Sequence, residues 1–353
     1  MTQPTATTSS VTLGLDIGDR STHFCALQDR KVVGRGSCKT TQEGLAAALE
    51  RWPGAQVALE AGSQSPWMSR YLKKRGYSVH VVDPRRVQLI SKDPRKTDRR
   101  DAELLARLEA GMPELLGNVR HRSEQAQADL ALIRARDQLV QTRTSLVLCC
   151  RSLSKAFGVT LPKATTVGFT RAARDEVPEL LVPAIGVLLD QIDSVSAGIR
   201  GIDRQIAAAA RERYPEVARL QEVNGVGILT ATAFVLTIED PARFRNSRLV
   251  GSWLGLCPRS HASGDSNPEL GISKAGDRPL RRLLVQCCNY ILGPFSQDSD
   301  LKRFGLRLAA RGGKAAKRRA VVATARKLAV LLHHLWKDQL TYEPLHHAQR
   351  QAA

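Results

Sequence analysis

Between residues 11 and about 110, short stretches alternate apolar with polar side chains: VTLGLDI, THFCALQ, KVVGRGS, QVALEA and YSVHVVD. A period of two is that of a half-buried strand, so the pattern predicts five strands. Between them the period lengthens. A helix is predicted from Thr40, with Glu43 three residues on completing a capping box, and with Leu45, Ala48, Leu49 and Trp52 on one face. A second is predicted with Ser65 as its cap and Pro66 at its first position. KTDRRDAELLARL reads as a third. The predicted order is three strands, then helix and strand in alternation, an α/β unit over residues 11–122.

The pattern then becomes helical. In residues 123–158, Leu132, Leu139, Leu146 and Leu153 recur every seven positions. In residues 178–213, Leu181, Ile185, Leu188, Ile192, Val195, Ile199, Ile202 and Ile206 alternate steps of four and three. Such a seam predicts coiled-coil packing, either as an antiparallel hairpin or between subunits. The segment 159–177, with Pro162 and Gly168, reads as a loop. A coiled-coil region over 123–215 is followed by a mainly helical unit over 216–336. Near its start, Gly225 and Gly227 separate two apolar helices, like half of a helix–hairpin–helix element. Glycines there let backbone approach a phosphate. A polar loop from about Pro258 to Gly276, a basic helix and a last basic amphipathic stretch follow. Residues 1–10 read as a disordered tail and 337–353 as a C-terminal tail.

Composition narrows the chemistry. The net charge of +19 and pI near 10.1 point to a polyanionic partner, nucleic acid before all others. Candidate phosphate contacts are Arg95, Lys96, Arg99 and Arg100; Gly225 and Gly227; Lys274, Arg278, Arg281 and Arg282; and Arg311, Lys314, Lys317, Arg318 and Arg319. No continuous apolar run approaches the ~20 residues of a membrane span. The seven cysteines include no CxxC pair and read as free thiols of a reducing cytoplasm. None of the eight histidines shows metal-ligand spacing.

Four acids stand out against this basic background. Asp16 lies in the first strand, Glu60 ends the fourth, and Asp98 and Asp101 lie three apart on one helix face. Carboxylates converging from two strands and a helix repel one another unless a cation neutralises them, and hard oxygen ligands suit Mg²⁺ or Mn²⁺. Asp16 followed by Ile17–Gly18 also suits the first phosphate loop of an actin-like ATPase, but that fold needs a later glycine-rich nucleotide loop, which the chain does not show. Surface ion pairs with the neighbouring arginines are the simpler role for Asp98 and Asp101.

The element order of the first unit is that of the RNase H fold. With it come GLDIG (Asp16), ALEAG (Glu60), KTDRRDA (Asp98, Asp101), NGVGILTA, LVGSWLGLCP, ASG (Ser263) and GISKAGDRPLRRLL. Together these resemble insertion-sequence transposases with an N-terminal RuvC-like DEDD domain and a C-terminal serine-bearing domain, whose members act as bridge-RNA-guided recombinases. The resemblance covers roughly residues 11–335. It implies that Ser263 attacks a DNA phosphate and becomes joined to the strand. It implies a Mg²⁺-binding acidic site, a structured guide RNA pairing with double-stranded donor and target DNA, and a homo-oligomer, dimer to tetramer, whose active sites combine subunits. Ser260 and Ser266 flank the matched serine in a loop that also carries Asp265 and Glu269. Two other functions compete. One is a RuvC-like endonuclease using metal and water without a covalent intermediate. The other is a non-catalytic coiled-coil scaffold, which would survive loss of the acids.

Overall fold

The computed structural model describes residues 11–90, 97–259 and 270–346. The chain divides after Arg122 into two compact units. In the first, β1 (Thr12–Ile17), β2 (Ser21–Gln28), β3 (Lys31–Lys39), β4 (Gln56–Glu60) and β5 (Ser78–Val82) form a sheet in the order β3-β2-β1-β4-β5. β1, β2 and β3 are antiparallel neighbours, while β4 runs parallel to β1 and β5 parallel to β4. This mixed sheet, with its helices, is compatible with an RNase H-like DEDD fold.

The two faces of the sheet are covered by different helices, because alternate residues of a strand point opposite ways. Leu13 and Leu15 pack with Leu45 and Leu49 of α1 (Gln42–Leu49) and with Met68 and Leu72 of α2 (Ser65–Lys74). α3 (Pro84–Ile90) follows β5. Cys25 and Leu27, on the other face, pack with Ala102 and Ala106 of α4 (Asp98–Gly111). Ala58 and Val82 pack with Leu105 and Leu108 of α4 and with Leu116 of the short α5 (Pro113–Leu116).

Two predicted caps shift. Thr41, not Thr40, caps α1, its hydroxyl accepting from Gly44 N at 3.1 Å. Thr40 instead donates to Gly18 O at 3.0 Å, tying the end of β3 to the β1–β2 turn. Ser65 is the first residue of α2 rather than its cap; its buried hydroxyl bridges Gly62 and His121 Nε2, the latter at 2.9 Å.

The second unit is helical. α6 (Glu124–Lys155) and α8 (Val182–Arg213) pair antiparallel within the chain. Arg136 Nε donates to Asp203 Oδ1 at 2.5 Å, Arg143 Nη1 to Ser196 Oγ at 3.3 Å, and Arg213 Nη2 to Asp129 Oδ1 at 2.7 Å. Ile185, Ile192, Ile199 and Ile206 are buried at the seam. On α6 the fully buried positions include Leu130, Ile133, Val147 and Cys150; of the leucine heptad, Leu132 and Leu146 are half-buried and pack on the same cores, Leu139 lies against Gly198 of α8, and Leu153 is exposed. The segment Glu179–Arg213 is long and, on average, apolar enough for a membrane span, although Asp190, Asp193 and Arg200 interrupt it as a continuous run, and its isoleucines Ile185, Ile192, Ile199 and Ile206 are buried in the seam. The connection read as a loop contains α7 (Phe169–Ala173), whose Phe169 is fully buried with Cys150 and Ile185.

α9 (Glu216–Gln221), α10 (Ile228–Ile238), α11 (Arg248–Trp253), α12 (Arg278–Ile291), α13 (Asp300–Ala309) and α14 (Gly313–Lys337) complete the unit. One core joins Leu130 and Ile133 of α6 to Phe234 of α10, Leu284 of α12 and Leu328 of α14, so the base of the hairpin and the C-terminal helices pack as one body. At that base Asp129 accepts from Arg213, from Tyr214 Oη at 2.7 Å and from Gln125. Burial opposes its ionisation, but those three hydrogen bonds outweigh burial and hold its pKa below the ordinary value. Burial and then the Asp129 bond push the Tyr214 hydroxyl up to about 12. The predicted C-terminal tail is anchored through His346's predecessors: Tyr342 N donates to Glu222 Oε2 at 3.2 Å, and Asp300 N donates to Pro344 O at 2.7 Å.

Candidate metal centre and nucleic-acid surfaces

Gly14 lies two residues before Asp16 and so on the same face of β1. A Cβ there would stand 2.1 Å from Ala102 O and 2.4 Å from Ala106 N, both backbone atoms of α4. Only glycine lets the helix lie this close. The far end of α4 is fixed as well: buried Glu109 takes a hydrogen bond from Gln56 Nε2 at 2.9 Å and meets His80 Nδ1 at 2.6 Å, while His80 Nε2 meets Gly117 O at 3.2 Å. Neither Glu109 nor His80 was a predicted functional residue, yet both set the position of α4 on β4 and β5. An apolar face interrupted by a glutamate is the signal that marks such a tie.

Held this way, α4 brings its first turn to the end of β1. Asp16 and Asp98 come together, and a third side chain joins them: one ligand atom each from Asp16, His23 and Asp98 lie within 4.8 Å of one another. His23 Nδ1 is 3.6 Å from Asp98 Oδ2. His23 was missed because it has no metal-ligand spacing along the sequence; its proximity comes from the β1–β2 register, which sets it directly opposite Asp16. Glu60 ends β4, one residue beyond the Leu15–Leu59 pair, which makes it the parallel-strand neighbour of Asp16. Asp101 is half-buried, three residues after Asp98 in the first turn of α4. Neither Glu60 nor Asp101 belongs to the close group of three. Two carboxylates and an imidazole at this separation form a donor set that suits a divalent cation.

The basic candidates sort differently. Arg99 and Arg100 are exposed at the start of α4, while Arg95 and Lys96 lie outside the described residues. Arg281 is not a surface cation: its Nη1 donates to Leu254 O at 2.9 Å and Ala275 O at 2.7 Å, and burial lowers its pKa. Arg282 is paired with Asp137. Lys274 and Arg278 are exposed, as are Arg311, Lys314, Lys317, Arg318 and Arg319 around the start of α14. Gly225 has φ of +88°, and a Cβ there would meet Tyr290 and Ile291 of α12 at 3.0 Å, so it serves packing. Gly227, with open space around it, caps α10.

Ser263 lies outside the described residues, as do Ser260, Ser266, Asp265 and Glu269. The segments on either side of them are joined. Arg259 N donates to Gly271 O at 3.1 Å, Ser273 N to Cys257 O at 2.9 Å and Lys274 N to Gly255 O at 3.1 Å. Arg281 clamps this base from α12.

Residues 13–155 match the transposase family model DEDD_Tnp_IS110, and residues 217–292 match the model of the "Transposase IS116/IS110/IS902 family". A probable family 20 transposase of Pseudomonas aeruginosa is 30% identical, over 83% of this chain and 87% of its own length. The chain belongs to the IS110/IS116 transposase family. The transposase for insertion sequence element IS1328 of Yersinia enterocolitica is 31% identical, over 78% of this chain and 82% of that protein. The transposase for element IS1111A of Coxiella burnetii is 28% identical, over 94% and 90%. The protein is therefore an insertion-sequence transposase, an enzyme that cuts and rejoins DNA for a mobile element. The DEDD match spans β1 to β5 and α4, the elements that assemble the acidic group.

Proposed function

We propose that this transposase is an RNA-guided recombinase that joins DNA strands through a covalent bond to Ser263, supported by a divalent metal at Asp16, Glu60, Asp98 and Asp101. The observation that carries the reading is the occurrence in one chain of a converged acidic group and of a strand-paired base closing a serine-bearing segment. A nuclease that uses water needs the first but not the second.

The chemistry follows from these residues. When bound, Mg²⁺ or Mn²⁺ supplies Lewis acidity, neutralising charge on a phosphodiester. Asp16, Asp98 and their neighbours hold it, with α4 fixing the spacing. Ser263 Oγ attacks phosphorus, a P–Oγ bond forms as one P–O bond of the strand breaks, and the hydroxyl proton is matched by one gained at the leaving oxygen. The count of phosphoester bonds is unchanged, so the reverse step reseals a strand without ATP. Double-stranded donor and target DNA and a structured guide RNA meet the exposed cations Arg99, Arg100, Lys274, Arg278, Lys314, Lys317, Arg318 and Arg319. Assembly as a dimer to tetramer joins the acidic site to a serine.

The test is denaturing electrophoresis of labelled target DNA after incubation with protein, guide RNA and Mg²⁺, followed by protease. Wild type should give a protease-sensitive protein–DNA band. Ser263→Ala should bind both nucleic acids yet give none, while Ser260→Ala and Ser266→Ala keep it. Cleavage by wild type without any such band would favour the water-using endonuclease. Loss only in Ser260→Ala or Ser266→Ala would move the nucleophile.

A further inference from the structure

We propose that His23 is a direct ligand of the divalent metal, making the centre a mixed carboxylate–imidazole site that favours Mn²⁺ over Mg²⁺. The inference rests on the metal reading above and adds to the four acids a residue that their motif does not contain.

Three observations place it there. The β1–β2 register sets His23 directly opposite Asp16, so both side chains rise from the same face of the sheet, the face that α4 covers. The ring is largely enclosed, its side chain 19% exposed against 69% for Asp98, so it is held between strand and helix rather than projecting into solvent. One of its ring nitrogens converges with one carboxylate oxygen from each aspartate inside 4.8 Å.

The separation discriminates between roles. In a structural His–Asp hydrogen bond the heavy atoms approach to about 2.7–3.2 Å. Here Nδ1 and Asp98 Oδ2 stand 3.6 Å apart, too far for that bond. Two ligands of one octahedral ion with bonds of about 2.1 Å are about 3.0 Å apart when adjacent and about 4.2 Å when opposite. The observed 3.6 Å is nearer the adjacent value, and a bound ion would draw the pair together by about half an ångström to complete it. Elsewhere in the same unit, His80 and Glu109 approach to 2.6 Å, which is what a histidine–carboxylate contact looks like when it is a tie and not a ligand pair.

An imidazole nitrogen also sets metal preference. Mg²⁺ demands near-ideal octahedral oxygen coordination and gives up water reluctantly, whereas Mn²⁺ stands in the transition series whose affinity for nitrogen donors climbs towards copper. A site with one nitrogen among its oxygens therefore discriminates towards Mn²⁺.

The experiment uses the full chain and Mn²⁺ alone as the probe, read by electron spin-echo envelope modulation, which detects a nitrogen nucleus bound directly to the ion. Wild type should show ¹⁴N modulation. His23→Ala and the bulkier His23→Gln should bind Mn²⁺ about tenfold more weakly and lose the modulation, with Mg²⁺ affinity changed less. Circular dichroism melting checks that each variant is folded, and His23→Gln stands if His23→Ala does not fold. Asp16→Asn separates the two layers of the argument. If it abolishes Mn²⁺ binding while wild type shows no ¹⁴N modulation, the acidic site stands and His23 is not a ligand. Modulation that persists in both His23 variants overturns the assignment as well. If wild type binds Mn²⁺ no better than Asp16→Asn, the metal reading itself fails, and this inference with it.

Discussion

Replacing Gly14 by alanine tests the central geometric claim, that the acidic group exists because α4 lies unusually close to β1. The added methyl carbon would be 2.1 Å from Ala102 O and 2.4 Å from Ala106 N. Both atoms are backbone, so no side-chain rotation relieves the clash. To restore an ordinary contact of 3.4 Å the helix must retreat by a little over 1 Å. Overpacking of this kind costs about 1–3 kcal/mol. The gain from restricting the unfolded chain, about 0.4–1 kcal/mol for glycine to alanine, offsets only part of it. In a domain of this size a net loss near 1–2 kcal/mol lowers the melting temperature by roughly 5–15 °C. The retreat also carries Asp98 away from Asp16 and His23. A displacement of about 1 Å at a reacting site can cost on the order of a hundredfold in rate, and Mn²⁺ affinity should fall in parallel. Thermal denaturation by circular dichroism and Mn²⁺ titration measure the two effects on one preparation. Gly62→Ala is the control, because a Cβ there meets nothing within 4 Å. If Gly14→Ala melted with wild type and bound Mn²⁺ equally well, the close approach would not be what assembles the site.

Three further outcomes are expected. Ile192→Asp with Ile199→Asp puts two carboxylates into the buried seam of α6 and α8; each costs at least the about 2–5 kcal/mol of a lost core isoleucine, so the helical unit should lose its cooperative melt, and a folded double mutant with altered mass by light scattering would return the seam to a subunit interface. His333 is fully buried between Ser247 and Pro241 O, and burial holds its pKa below 6.5; burial, then Arg70, Lys73 and Arg122, do the same for His121. The folded state then binds fewer protons than the unfolded, so this stability is present above pH 6.5 and lost as pH falls below it; the urea midpoint should decline between pH 7 and about 5, and a flat midpoint would refute the assignment. Duplex DNA affinity should fall with salt at a log–log slope near −5 for about six neutralised phosphates, and Lys314, Lys317 and Arg318 changed together to Gln should flatten it by about 3; an unchanged slope would remove α14 from the binding surface.

What could be read from the sequence divides along a physical line. Strands and amphipathic helices follow from local periodicity, and β3 shows the alternation itself, exposed with half-buried, whereas β1 and β4 lie inside the sheet and are buried on both faces along most of their length. Asp16 and Asp98 were legible because carboxylates inside an apolar pattern are conspicuous. His23 was not, because a cross-strand partner is fixed by hairpin register, and its pairing with Asp16 comes from the β1–β2 alignment rather than from any spacing along the chain. The α6 side of the seam was legible only in part. Leu132, Leu139 and Leu146 have the right period and are half-buried in the packing, but Leu153 is exposed, and Ile133, Val147 and Cys150, which the heptad does not mark, are fully buried. Arg281 looked like one more cation in a basic helix; that it binds two carbonyls becomes visible only when the chain from Leu254 to Ala275 folds back on α12.

The net charge of +19 is therefore a poor guide to where nucleic acid binds, and the position of each cation is a better one. Arg136, Arg213, Arg281 and Arg282 hold α6, α8, α12 and the base of the serine segment together, and Lys337 donates to Phe244 O at 2.9 Å. Cations so engaged do not release counterions from DNA. Lys314, Lys317 and Arg318 are of another kind. They are exposed in the first two turns of α14, where the helix dipole already places partial positive charge and where the first turn carries no acid. Concentrating like charge there costs the isolated chain stability. A phosphate backbone reverses the sign, because the same lysines, arginine and dipole then act on one anion together. A cluster that weakens the free protein and strengthens the complex is the arrangement expected of a surface shaped by its ligand, and it is the reason the salt slope should depend on α14 more than on the far larger number of arginines elsewhere.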